Sequence, residues 1–320
     1  MSQMDHTEEG NGNIALNNAN LTMSSLSSSQ VVIAIFGANG NISSSVISHL
    51  ENFECSGSDI ISDYTLRIVT RDIEVLSTRQ FCIKTEIMVG SITDIDRLDE
   101  LLQNVNRVFF CLPQSLSSED MVKTSMSFAK AAKRAGVQTV VRISSYGMDN
   151  KSDTTSSQGS LGKAHVEGEE HMRALGLTVT SVRPTSFFSN FTKYDDPSIK
   201  SYSTFYSPLG NNASVNWISC DDISNVVATC LLNMSFDGQI LDITGSEKNT
   251  LSAEQMRILF EAKYKKNVTY VELPLPESVE MNGLWMFLRN GGFAHHTNTV
   301  ERVTRKKAIE FSDFLDNYIN

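Results

Sequence analysis

His165, Glu169 and Met172 stand at i, i+4 and i+7 of "GKAHVEGEEHMRALGL", so on a helix they share one face. An imidazole with an ordinary pKa of about 6.5 can give or take a proton near neutrality, and a carboxylate one turn on would hold it charged. The same four-residue spacing also describes an ordinary helix-stabilising pair, so Glu169 carries both readings. Lys163 precedes them, but four residues before it stands Gly159, and Tyr146 lies far upstream. The Tyr-x-x-x-Lys pairing, in which the amine lowers the phenol's pKa for proton transfer, is therefore missing. The segment offers one candidate acid, His165.

A second constellation points to phosphate. In "VVIAIFGANGNIS" an apolar run, Val31 to Phe36, ends in Gly37, Ala38, Asn39, Gly40, Asn41 and Ile42. Ile42, Val46, Ile47 and Leu50 then recur at helical spacing. A strand, a tight glycine turn and a helix form a cradle whose backbone approaches a pyrophosphate at the positive helix N-terminus. The next apolar run, "TLRIVTRD", ends in Arg71 and Asp72. In a dinucleotide fold the tip of this strand reads the adenosine ribose. The planar fork of Arg71 suits a 2′-phosphate and favours NADP(H), whereas Asp72 keeps NAD(H) open. Ser144 and Ser145, closing "VQTVVRISS", offer hydroxyls at another strand end. His295 and His296 are adjacent and lack partners at ligand spacing, so no metal site is expected.

These residues need a scaffold, and the chain supplies an alternation. Strands are expected at Val31–Phe36, Thr65–Asp72, Thr85–Ser91, "RVFFCLPQS" and "VQTVVRISS". Between them, helices are expected at about Thr93 to Val105 and at Ser118–Ala135, the latter stopped by Gly136. That rhythm predicts an α/β, doubly wound parallel sheet, with ligands at the carboxyl ends of its strands. Beyond it come a helix closed by Gly176, a strand "TVTSVRP", and a helix that Asp222 is expected to cap. The polar stretch Asp149–Ser160 reads as a mobile lid or a plain surface loop.

Bulk properties narrow the class. The chain has 320 residues, 40% of them hydrophobic, and a net charge of −10, which argues against nucleic acid or an anionic membrane as partner. Five scattered cysteines without a CxxC motif read as reduced thiols of an intracellular protein, cytoplasmic with the nucleus left open. Residues 1–29 are rich in Ser, Asn and acidic residues and are expected to be a disordered tail.

Taken together, "FGANGNIS", "VTRD", "HVEGEEHMRALGLTVTSVRPTSFFSN", "WISCDDIS" and "ILDITG" resemble the NmrA-like family of atypical short-chain dehydrogenases/reductases. The resemblance runs from Val31 to the C-terminus. It implies a Rossmann core over residues 30–185, completed by a strand near 239–244, and a smaller α+β substrate or partner lobe drawn mainly from 186–320. It implies a bound NADP(H), with NAD(H) as the alternative.

By position, the resemblance places Gly37 to Ile42 on the pyrophosphate, Arg71 on the 2′-phosphate and Ser91 near the adenine. It places Cys111, Leu112 and Pro113 at the nicotinamide-side ribose, His165 beside the nicotinamide, and Phe187, Phe188, Ser189 and Asn190 around its pocket. Ser144 joins this set from its strand end. Three positions depart from the family pattern: Ser43 replaces the third glycine, Ser91 an acid, and Arg305 a glycine in a late turn. The family includes reductases of quinones and azo dyes and catalytically silent redox sensors. The expected activity is hydride transfer to a quinone-, azo- or imine-like substrate. The alternative is a non-catalytic NADP(H) sensor acting through a protein partner.

Overall fold

The apolar run Val31–Phe36 forms an inner strand of the main sheet, where apolar layers on both faces match its uniform hydrophobicity. The computed structural model describes residues 30–53, 57–147 and 159–319. The expected tail and most of the expected lid fall outside the described residues. The strands are β1 (Val31–Phe36), β2 (Tyr64–Thr70), β3 (Thr85–Val89), β4 (Arg107–Phe110), β5 (Thr139–Ile143), β6 (Thr178–Pro184), β7 (Ser186–Phe187), β8 (Thr204–Ser207), β9 (Ser214–Ile218), β10 (Ile240–Ile243), β11 (Thr250–Ser252) and β12 (Thr269–Glu272). The helices are α1 (Asn41–Glu51), α2 (Leu98–Leu101), α3 (Ser118–Ala135), α4 (Gly159–Ala174), α5 (Phe188–Asn190), α6 (Asp196–Tyr202), α7 (Cys220–Leu232), α8 (Ala253–Tyr264), α9 (Val279–Arg289), α10 (Thr299–Thr304) and α11 (Phe311–Ile319).

Seven strands make one parallel sheet in the order β10-β6-β5-β4-β1-β2-β3. The chain winds outward from β1 through β2 to β3, then returns to β4 on the other side of β1. The direction of winding therefore reverses between β1 and β4. The crevice beyond their carboxyl ends is where such sheets bind ligands. One face of the sheet is covered by α1, α7 and α10, through Val46, Ile47, Val226, Leu231 and Val303. The other is covered by α2, α3 and α4, through Leu101, Phe128, Ala132 and Met172. A third apolar cluster gathers Phe188, Phe191, Phe205, Phe260 and Phe311 with β8, β9 and α8. Smaller sheets, β11-β9-β7 and β12-β8, frame that cluster.

Two local expectations change. The helix expected from about Thr93 to Val105 is only a 3-10 turn at Ile95–Arg97 and the four residues of α2. Asp94 turns back to accept the Ser91 N–H at 2.8 Å, delaying the start, and Asn104 adopts φ 62°, stopping the helix early. Asp222 is not the cap of α7. Ser219 is, its hydroxyl accepting the Asp222 N–H at 2.9 Å. The Asp222 carboxylate instead accepts the Ile309 N–H at 2.9 Å and fixes the C-terminal segment to α7. No helix among the described residues is long and apolar enough to cross a membrane.

Candidate dinucleotide site

The glycine turn is built around the end of β1. Gly37 adopts φ +76°, which a side chain would strain, and its N–H donates to the Val69 carbonyl at 2.8 Å. The Gly40 N–H donates back to the Gly37 carbonyl at 3.0 Å. A Cβ on Gly40 would lie 3.3 Å from that same carbonyl, so a side chain there would crowd the cradle. Helix α1 starts at Gly40 with no side-chain cap and no acid in its first turn. Its orphan N–H groups and positive end are left for an anion. Asn39, Gly40 and Asn41 are exposed, while Ala38 and Ile42 anchor the turn in the core.

Ser43, the departure from the glycine pattern, is 4% exposed, and its hydroxyl donates to the Phe36 carbonyl at 2.9 Å. The helix still packs close to the strand, and the extra hydroxyl is satisfied there. A pyrophosphate fits the residues present.

Arg71 stands exposed just past the tip of β2, and no described residue forms an ion pair or hydrogen bond with it. Asp72 is occupied, since its carboxylate accepts the Glu74 N–H at 3.0 Å and starts the following turn. Ser91 follows β3, where its hydroxyl shares a hydrogen bond with Thr93 at 2.9 Å. Cys111 and Leu112 are half-buried and Pro113 exposed at the end of β4. Burial pushes the Cys111 thiol up to about 12, the charge of Arg142 opposing, so it stays protonated.

At the far end of the crevice, α4 places His165 over β5 and β6. Its ring is half-buried, and Nδ1 is sealed from solvent with no hydrogen-bond partner. Burial first, and then the charge of Arg142, push its pKa down to about 3. The expected charged pair with Glu169 does not form. Glu169 is 3% exposed and bound by Arg183 of β6, with Nη2 to Oε2 at 2.8 Å and Nε to Oε1 at 3.3 Å. Burial alone would raise its pKa. The Arg183 hydrogen bond and the two arginine charges outweigh that and hold the carboxyl below its usual range. Burial and the Arg142 charge therefore keep the imidazole neutral at physiological pH, and the carboxylate that opposes them is itself bound by Arg183.

Ser144 is buried at the end of β5. Phe187, Ser189 and Asn190 are half-buried after β6, and the Ser189 hydroxyl lies 3.6 Å from the Cys220 thiol. Phe188 does not line the crevice with them. It is 1% exposed, and its ring packs at 4.8 Å on Phe311 and 5.1 Å on Phe314. Neighbours on a single helical turn point to different sides, and this one points into the aromatic cluster.

The strand ends thus bring Gly37 to Ile42, Arg71, Ser91, Cys111 to Pro113, Ser144 and the Phe187–Asn190 turn to one edge of the sheet. Two residues central to its electrostatics escaped sequence reasoning, Arg142 and Arg183. Their signal was available, since each places a charge within a stretch that reads as a strand of the sheet, "VVRISS" and "TSVRP".

Comparison with known proteins agrees with this architecture. The NADPH-dependent quinone oxidoreductase of Escherichia coli, solved with NADPH, is 18% identical, with a TM-score of 0.74 over 90% of this chain and 100% of that one. The negative transcriptional regulator NmrA, solved in complex with NADP, is 15% identical, with a TM-score of 0.68 over 91% of this chain and 95% of that one. Among curated proteins, the prestalk A differentiation protein A of Dictyostelium discoideum is 23% identical over 90% of this chain and 93% of its own. The sequence profile of the NmrA-like family matches residues 29–313, nearly the whole chain, and the protein belongs to that family.

Proposed function

We propose that this protein binds NADP(H) in preference to NAD(H) and reduces a small quinone-, azo- or imine-like substrate. When bound, the dinucleotide supplies the hydride. The residues Gly37 to Ile42 hold its pyrophosphate on the α1 N-terminus, and the free guanidinium of Arg71 takes the 2′-phosphate. Ser91 adjoins the adenine. Cys111, Leu112, Pro113, Ser144 and His165, with Phe187, Ser189 and Asn190, surround the nicotinamide end.

One observation carries the choice of substrate class: the groups at that end hold no ready acid at neutral pH. His165 is already neutral, and the Cys111 thiol is too weak to release a proton. The Tyr-x-x-x-Lys pairing is absent from the sequence. A ketone would need a proton as its alkoxide forms. An iminium ion becomes a neutral amine on accepting hydride, and the delocalised anions formed from a conjugated quinone or azo dye can take their proton from solvent rather than from the protein.

The acid-poor site also suits a sensor that binds NADP(H) without turnover and acts through a protein partner, and the likeness to the regulator NmrA favours that second reading. One experiment separates them. Purified protein is mixed with NADPH and a panel of quinones, azo dyes and cyclic imines, and cofactor absorbance is followed. Oxidation that depends on protein and substrate supports the reductase. NADPH binding without oxidation of any panel member sinks it and leaves the sensor.

A further inference from the structure

Arg142 is the largest fully buried side chain among the described residues, 0% exposed near the carboxyl end of β5. It has no carboxylate of its own, because Glu169 is bound by Arg183. Its guanidinium lies 5.3 Å from the centre of the Phe110 ring, and Nη1 reaches only the Met172 sulfur at 3.8 Å. Nε and Nη2 are buried with no hydrogen-bond partner. Buried donors of a charged group are costly to leave unmet, so such an arrangement persists only where something satisfies them.

Helix α4 is shaped to admit this guanidinium. A Cβ on Gly168 would come within 2.8 Å of Arg142 Nη1 and 2.9 Å of the Ser125 hydroxyl, itself buried without a partner. One turn before Gly168 stands His165, whose Nδ1 is the remaining sealed, unpartnered polar atom on this stretch of α4. Unmet N–H donors on one side and an unmet ring nitrogen on the other are complementary if that nitrogen presents its lone pair. Direct contact is not made, and a buried water typically joins two such groups. The charged groups acting on the ring are Arg142 from β5, Glu169 from α4 and Arg183 from β6. The balance of the three is positive and disfavours a second proton.

We propose that Arg142 is a positioning residue: through a shared buried water it makes His165 Nδ1 an acceptor and fixes the ring as its neutral Nε2–H tautomer. His165 then serves as a hydrogen-bond donor that does not titrate in the physiological range. Its direction toward the nicotinamide rests on the function proposed above, whereas the tautomer does not.

The test uses the full chain with 15N-labelled histidine and long-range 1H–15N correlation, the His165 signals being identified by their loss in His165→Gln. The expected result is a single neutral Nε2–H pattern, unchanged from about pH 8 to about pH 5. Followed further down to about pH 3.5, the His165 signals of Arg142→Met should titrate with a midpoint at least about one pH unit above that of wild type. Arg142→Lys should restore most of the wild-type behaviour. An Nδ1–H pattern, or a wild-type midpoint near 6.5, overturns the proposal, as does unaltered titration in Arg142→Met. Should Arg142→Met fail to fold, Gly168→Ala perturbs the same contact without changing charge. A mixture of tautomers is then expected, and an unaltered spectrum refutes the proposal. Failure to oxidise NADPH would leave these spectra unaffected, so the two readings fail separately.

Discussion

Arg71→Ala tests the cofactor assignment most directly. Arg71 is exposed and unpaired among the described residues, so removing it breaks nothing in the protein. Folding stability should stay within about 0.5 kcal/mol of wild type. Toward the 2′-phosphate, the guanidinium would make charge-assisted hydrogen bonds of roughly 1.5–3 kcal/mol, and its exposure favours the lower end. At about 1.4 kcal/mol per tenfold, NADPH affinity should fall by roughly 10- to 30-fold. NADH lacks the phosphate, so its affinity should change less than about twofold. NADH affinity does not rise in the variant, because Asp72 is committed to the Glu74 N–H. Titration by cofactor fluorescence at low and high salt measures both, and the NADPH loss should shrink as salt screens the exposed charge. An equal loss for NADPH and NADH, or none for either, refutes the assignment.

Two further outcomes follow from the backbone and from buried charge. Arg305 holds φ +60° at the end of α10, where the family pattern has glycine, and its N–H donates to the Glu301 carbonyl at 2.9 Å. Arg305→Gly should keep that bond, relieve the strain and stabilise the protein by about 1 kcal/mol in urea unfolding, and a clear loss of stability would count against this. Burial raises the Asp195 carboxyl to about 8, so the folded state keeps a proton that the unfolded chain releases near 4. Wild-type stability should therefore decline as pH rises from about 4 to about 8, by at most about 1.4 kcal/mol per pH unit from this group. Asp195→Asn should remove that decline. Parallel curves for the two proteins would show that Asp195 is ionised throughout.

Local signals were read correctly wherever a few adjacent residues settle the outcome. Helix α3 spans Ser118–Ala135 as expected, because Ser117 caps the Asp120 N–H at 3.1 Å and Gly136 takes φ +77° just past the end. The glycine turn was legible for the same reason, since strand, turn and helix start within thirteen residues of sequence. Ser43 looked like a departure and is one in sequence alone. Its buried hydroxyl bonds the Phe36 carbonyl seven residues back, a contact that helix periodicity does not reveal.

The sequence by itself determined the alternating strands and helices, the cradle at Gly37 to Ile42 and the basic strand tip at Arg71. Each depends on local conformation and on apolar periodicity, which the chain carries in its own order. Only the tertiary structure decided the protonation of the site. Spacing paired Glu169 with His165, four residues away on one helix, but folding set Arg183 against that carboxylate from the next strand and Arg142 from the strand beside it. A buried charge takes the partner that lies nearest in space, and the sheet's packing against α4, not the helical repeat, chose that partner. The same packing turned Phe188 into the aromatic cluster while its neighbours stayed at the crevice.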